Sequence, residues 1–433
     1  MSEAEAGAPS QRFVLIVLFL VIAMNLFDRQ LINILAQDIK VDMALTDAEL
    51  GLLTGTAFGL FKAIFSIPVG AWADRGNKPR ILGGLVALSS AFSILSGIAG
   101  SFFGLVIARV GVGVGESAGV PVATAIVRDN VPKRATGAIA LAMAGNPVGT
   151  FLAFLVGGAI ADRWGWRFAF FVAGPPGLVL AWILATKLRN VSAERASTAV
   201  GSNWIGGTLQ LVRKPMLRRL MFATAGSMFM VSAASAWIPA FFIRAHGLGT
   251  AQVGLFGAIA IGIGGSIGTL SGIVCDRARP RIRHCESAMM ILATLGALPF
   301  ALLMVFSQNV AAALAAYFIY NVLAYAWPAP TIRLIQDAVE PHQRALALAL
   351  CSAVGMIAAL GIGVPLIGWI SDLISARYGL RSIGIALVSV LLIAIAMAFV
   401  SHLLVLKALL NSAEPAVVDS DKSARSSDKS LKF

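Results

Sequence analysis

Gly70-Ala-Trp-Ala-Asp74-Arg75, followed by Lys78-Pro79-Arg80, and Gly272-Ile-Val-Cys-Asp276-Arg277, followed by Arg279-Pro280-Arg281, are one pattern written twice, 202 residues apart. Each copy leaves an apolar run and enters a short basic stretch. Two further matches keep the same order: Pro132-Lys-Arg134-Ala135 with His342-Gln-Arg344-Ala345, and Gly158-Ala-Ile-Ala-Asp162 with Gly368-Trp-Ile-Ser-Asp372, both 210 residues apart. Three ordered matches mark an internal duplication, which in a membrane protein is the signature of a carrier built from two related halves.

The runs around these motifs have the length that crosses a bilayer. Apolar segments of about 20 residues, enough for a ~30 Å hydrocarbon core at 1.5 Å per residue, fall at 13–36, 47–71, 81–101, 104–127, 135–160 and 166–186. Six more follow at 220–242, 253–274, 287–307, 309–332, 345–369 and 382–406. The expected architecture is therefore an all-α membrane protein of 12 transmembrane helices in two pseudo-symmetric six-helix bundles, 13–186 and 220–406. A short N-terminal tail (1–12) precedes them, a polar linker (187–219) joins them, and a C-terminal tail (407–433), rich in Ser, Asp and Lys, is expected to be disordered.

Composition agrees. Apolar residues make up 58% of the 433 and charged residues 13%, with 43 glycines suited to close helix packing. The stretch from residue 13 is too long for a signal-peptide core and has no small-residue cleavage site behind it, so it reads as the first span. The net charge of +13 is a matter of topology, not of nucleic-acid binding. Of 34 Lys and Arg, 25 lie in loops and tails on the side of the termini and 6 on the other side, which makes both termini cytoplasmic in the inner (plasma) membrane. Cys275, Cys285 and Cys351 show no metal or disulfide spacing, and the four histidines lie at or near span ends. No cofactor and no metal are expected, and nothing reads as a nucleophile with its base, so an enzyme is not expected.

Five ionisable residues lie well inside spans, all in the first half: Asp28, Arg29, Lys62, Arg109 and Glu116. A charge near the bilayer centre costs several kcal/mol unless paired or hydrated, so these residues mark a substrate or proton path; the plainer alternative is an ion pair that only fixes packing. Asn25, Arg29 and Asn33 form a polar stripe at i, i+4, i+8, with Asp28 beside it. Arg109, Gly113 and Glu116 share a second face, while Gly111, Gly115 and Gly119 form a packing face. Lys62 lies on a line of small residues and is expected to point inward. Depths counted at 1.5 Å per residue put Asp28 roughly 12 Å, Arg109 roughly 7 Å, Glu116 roughly 18 Å and Lys62 roughly 22 Å from the outer ends. The expected pairs are Asp28 with Arg109 and Glu116 with Lys62, leaving Arg29 for either acid or for substrate.

Three cations and two acids leave this cluster with one positive charge, which suits an anion, and an acid beside a cation can change protonation as the cavity changes sides. Asp28 and Glu116 are the candidate proton sites. Arg29, Lys62, Arg109, Asn25 and Asn33 are candidate substrate contacts. The second half offers an apolar-aromatic wall, with Trp237 in span 7 and Tyr320, Asn321 and Tyr325 in span 10. The lining fits an amphipathic anion; a small organic acid or a drug is the alternative among carriers, and a receptor without transport is the alternative from another class. The expected partners are the lipid bilayer, protons and the substrate, and the chain is expected to act as a monomer.

Gly70-Ala-Trp72-Ala73-Asp74-Arg75-Gly76-Asn77-Lys78-Pro79 resembles the signature of the major facilitator superfamily (Gly-x-Leu-Ala-Asp-Arg-x-Gly-Arg-Arg), departing from it at Trp72, Asn77 and Pro79, and the resemblance extends to about residue 407. It implies alternating access, with Asp74 and Arg75 and their repeats Asp276 and Arg277 latching the halves when the cavity faces outward. Asp28-Arg29 together with Arg109-x-Gly-x-Gly-x-Gly115-Glu116-Ser117 resembles the spinster-like branch and its bacterial members. That implies proton-linked transport of lysolipids or sphingoid phosphates. Lys62 departs from the Tyr usual in related bacterial sequences.

Overall fold

The structure, a computed structural model, describes residues 10–131, 135–188, 204–340 and 343–429. Among them are 11 helical stretches long and apolar enough to cross a membrane. The last, Leu346–Asn411, contains a turn at Gly379–Arg381 and is two spans, which makes twelve. In order, spans 1 to 6 are Gln11–Met43, Asp47–Arg75, Lys78–Ile98, Phe102–Asn130, Ala135–Trp164 and Trp166–Thr186. Spans 7 to 12 are Pro215–His246, Thr250–Ala278, Cys285–Phe306, Val310–Asp337, Arg344–Tyr378 and the helix that begins at Ser382.

Local chemistry sets the ends. Ser10 caps span 1 by accepting from the Phe13 N–H at 3.3 Å. Thr46 and Glu49 form a reciprocal capping box at the start of span 2, satisfying backbone donors that the first turn leaves open. Gly165 (φ +85°) and Gly247 (φ +65°) turn the chain after spans 5 and 7 in the left-handed region that glycine enters without strain.

The polar segments carry helix as well. Trp204–Arg213, inside the linker, is helical, and its Leu211 is buried with Leu217, Leu220, Leu334 and Ile335. The final helix is described over Ser382–Lys429. Residues 430–433 lie outside the described residues, as do 1–9 of the N-terminal tail.

The halves meet through spans 2 and 11 and through spans 5 and 8. Glycines allow the approach. A side chain at Gly55 would meet the Leu360 carbonyl at 2.5 Å, at Gly368 the Asp47 carbonyl at 2.1 Å, and at Gly254 the Phe154 carbonyl at 2.4 Å. Spans 2, 8 and 11 carry wide π turns at Leu52–Thr56, Ala258–Gly264 and Ile357–Gly363, which release carbonyls from the ladder; Thr56 Oγ1 donates to one of them, Gly361 O, at 3.1 Å. These contacts crowd the end opposite the termini, here called the far end. Toward the terminal end, Gly70 and Gly137 have nothing within 4 Å of where a side chain would begin, among the described residues. Among the described residues, the close contacts between the halves are gathered toward the far end.

Candidate functional site

Span 4 is not continuous. It runs Phe102–Gly115, breaks at Glu116, Ser117 and Ala118, and resumes at Gly119–Asn130. Span 10 breaks at the corresponding place, between Val310–Ala324 and Pro328–Asp337, with Tyr325 as its cap. Two equivalent breaks thus present Glu116 from the first half and Tyr325 from the second. Packing holds the first break in place: a side chain at Gly111 would meet the Phe92 ring at 2.2 Å, at Gly115 the Ser89 N at 2.6 Å, and at Gly113 the Phe58 carbonyl at 2.6 Å. Gly111 and Gly115 lie against span 3, as their spacing indicates. Gly113 packs on span 2 and does not line a cavity.

Lys62 Nζ donates to Glu116 Oε2 at 3.0 Å. The Glu116 side chain is fully buried and that of Lys62 is 17% exposed, so the lysine is the member open to a visitor. Phe58, one turn before Lys62, lies beneath both cations: Lys62 Nζ is 5.0 Å and the Arg29 guanidinium 5.7 Å from its ring centroid, within cation–π range. Arg29 forms no ion pair among the described residues. Phe58 was not picked out by sequence; its only signal was a place one turn from Lys62.

Asp28 and Arg109 are both buried, but no direct ion pair joins them. Asp28 Oδ1 accepts from Ser93 Oγ at 3.1 Å, and Arg109 Nη2 donates to Ser96 Oγ at 2.7 Å. The guanidinium also lies 5.1 Å from the Phe170 ring centroid, and its Nε and Nη1 have no partner. Asp28 and Arg109 are thus charge neighbours without a direct hydrogen bond, and span 3 gives each of them a hydroxyl. Ser89, Ser93 and Ser96 form a buried stripe at helical spacing, and that stripe was the signal to read.

Asn33 Nδ2 donates to Gln30 Oε1 at 2.7 Å, Ser235 Oγ reaches the same oxygen at 3.0 Å, and Asn25 lies against Gly119 at the resumption of span 4. In the second half the polar groups are largely engaged. Trp237 Nε1 donates to Val364 O at 2.8 Å, Tyr320 Oη to Met230 O at 3.0 Å, and Asn321 Nδ2 to Tyr317 O at 2.8 Å. Tyr325 packs over Gly265 and Gly268. Trp237 and Tyr320 are part of the closed packing in this conformation.

The far end carries a cluster that the sequence reading missed. Asp47 receives Arg244 and Lys40 and the Ser371 hydroxyl, the last at 2.7 Å. Asp372 accepts the backbone N–H groups of Asp47 and Ala48 at 3.0 and 2.7 Å, capping span 2 from span 11. Thr250 at the start of span 8 donates to Asp38. At the terminal end, Asp276 and Arg277 are exposed, and among the described residues Asp276 pairs with Arg279, three residues on, at 3.5 Å. The side chains of Asp74 and Arg75 lie outside the described residues.

The sequence matches the Major Facilitator Superfamily over residues 18–359. The chain belongs to the Major Facilitator Superfamily. It is a multi-pass membrane transporter and not an enzyme. Among its superfamily relatives is an MFS-type efflux pump of Mycolicibacterium smegmatis, 31% identical over 86% of this chain and 87% of the relative. Another is the sphingosine-1-phosphate transporter SPNS2 of Xenopus tropicalis, 26% identical over 84% of this chain and 75% of the relative. The crystal structure of a bacterial homologue of the human lysosomal transporter Spinster, inward-facing and unoccupied, superposes with a TM-score of 0.81 at 25% identity, covering 92% of this chain and 98% of that one. This superfamily member is thus spinster-like in structure.

Proposed function

We propose that this transporter is a proton-coupled carrier that moves an amphipathic anion, of the lysolipid or sphingoid-phosphate kind, through a central cavity by alternating access. The observation that carries the reading is the buried cluster of three cations and two acids, in which Lys62 is held by Glu116 while Arg29 stays unpaired over Phe58. A surplus cation beside an aromatic face and an apolar second half suits a molecule with a charged head and an apolar body. Asp28 and Glu116 are the proton sites, and Arg29, Lys62 and Arg109 hold the anion. Both termini lie on the cytoplasmic side of the inner membrane, so the closely packed far end faces outward. The exposed, locally paired Asp276 supports a cytoplasmic latch that is undone in this state.

Uptake into proteoliposomes, with and without a pH gradient, tests this. Lysophospholipid flux should rise under the gradient and lose that response in Asp28→Asn or Glu116→Gln. Full gradient-driven flux in both variants removes these acids from the mechanism. A second reading, carriage of a small organic acid or a drug, is favoured by the 31% identity to an efflux pump. It predicts that small carboxylates or drugs, and not lysolipids, move under the same gradient.

A further inference from the structure

Glu116 is an awkward place to keep a negative charge. Its side chain is fully buried, Lys62 is its hydrogen-bonded partner through Oε2, and Oε1 is buried with no partner at all. Ser117 Oγ, the next side chain in the break, is buried and unpartnered too. A carboxylate in low dielectric stays ionised only while a cation holds it, and once the cation leaves, the neutral acid is the stable form. Lys62, by contrast, keeps part of its side chain open and lies over the same ring as Arg29. An anionic group that settles between Arg29 and Lys62, with its apolar body on Phe58, draws the ammonium away from Glu116.

We infer that substrate anion and Glu116 carboxylate compete for the one ammonium of Lys62, so that binding an anion and protonating Glu116 are a single coupled step. The inference rests on the proposed reading that the cavity takes an anion. The proton comes from cavity water, hydronium becoming water as the carboxylate becomes the acid, and no other bond changes. For a monoanion the cluster gains one negative and one positive charge together, so the loaded and empty carriers have equal charge. Anion and proton then travel in the same direction, and the transport of a monoanion is electroneutral.

The other groups around Glu116 do not supply the competition. Asp28 and Arg29 face it from span 1, Arg109 lies two turns earlier on span 4, and Tyr325 of span 10 lies beside Arg29. Asp28 and Arg109 are held by serine hydroxyls of span 3, and Arg29 is not within ion-pair distance of Glu116. Lys62 is the cation whose release changes what Glu116 must do.

The experiment is a proton count on the purified full-length transporter in weak buffer with a pH-reporting dye. Dodecanoate and oleoyl lysophosphatidate are the anionic probes, with monolaurin and dodecylamine as neutral and cationic counterparts, and binding is followed in parallel by thermal shift. About one proton should be taken up per dodecanoate bound, with affinity weakening about tenfold per pH unit on the alkaline side. Glu116→Gln should bind without proton uptake and with a flat pH profile, and Lys62→Met should lose anion affinity and keep monolaurin. Anion binding with no proton taken up, or a count unchanged in Glu116→Gln, overturns the competition and leaves the anion-carrier reading standing. Binding of monolaurin or dodecylamine with neither anion bound overturns that reading and the competition with it. The wild-type count decides even where a variant does not fold.

Discussion

Arg244 of span 7 grips Asp47 at the start of span 2 with two parallel hydrogen bonds, Nη1 to Oδ2 and Nη2 to Oδ1, each 2.8 Å, across the boundary between the halves. The fork geometry suits a carboxylate, and the guanidinium's Nε is used as well, donating to Gln37 at 2.6 Å. Lys40 and Ser371 complete the environment of Asp47, and Asp372 caps the same helix start. The far end is thus shut by charge and by glycine-mediated backbone contact together.

Arg244→Ala should loosen this closure. Breaking a buried pair costs about 3–5 kcal/mol when a charge is left alone; with Lys40 still in place we expect about 2 kcal/mol, a roughly 30-fold shift toward states open at the far end. A cysteine placed at Leu53, which is fully buried, should then react faster with a membrane-impermeant thiol reagent added on that side. Unchanged labelling would show that the glycine contacts alone keep it shut.

Close helix approach within the first half predicts a contrast between two glycines. A side chain at Gly149 would sit 2.0 Å from the Ala23 carbonyl oxygen, whereas at Gly84 nothing lies within 4 Å. Gly149→Ala should lower stability by about 1–3 kcal/mol, and Gly84→Ala, in a helix interior, should raise it by roughly 0.5–1 kcal/mol. Melting temperatures in detergent check the pair, and equal values would refute the packing argument.

Ser96→Ala removes the one hydroxyl that Arg109 bonds, leaving a fully buried guanidinium without a hydrogen-bonded partner. A loss of about 1–3 kcal/mol in stability is expected. Ser93→Ala strips Asp28 of its hydroxyl in the same way, and should reduce gradient-driven flux with a smaller effect on melting temperature. If neither variant differs from wild type in stability or flux, the serine stripe has no part in holding these charges.

Asp74→Asn should slow transport several-fold without changing which substrate binds, if Asp74 latches the cytoplasmic ends in the outward-facing state. Initial rates against binding affinity separate the two effects. Weaker binding at an unchanged maximal rate would count against a latch.

Span positions, the duplication and the concentration of ionisable residues in one half are all legible in the sequence. Hydropathy over a fixed thickness, and the high cost of a charge in lipid, act along the chain and leave their marks in order. The Lys62 and Glu116 contact was legible for a further reason: similar depths on neighbouring spans, with small residues marking the inward face. For Asp28 and Arg109 the same depth reasoning left out the hydroxyl that each charge bonds, because depth says how far along the membrane normal a residue lies and not what stands beside it. Ser93 and Ser96 stand there.

By itself, then, the sequence determined that this is a twelve-span, two-half membrane carrier with a charged first half, since bilayer thickness and desolvation constrain each helix singly. Only the tertiary structure decided that Phe58 lies under two cations, that span 4 and span 10 break at matching places, and that Arg244, Asp47 and Asp372 close the far end. Those features depend on how each helix is rotated about its axis against its neighbours, which glycine contacts and side-chain packing settle together.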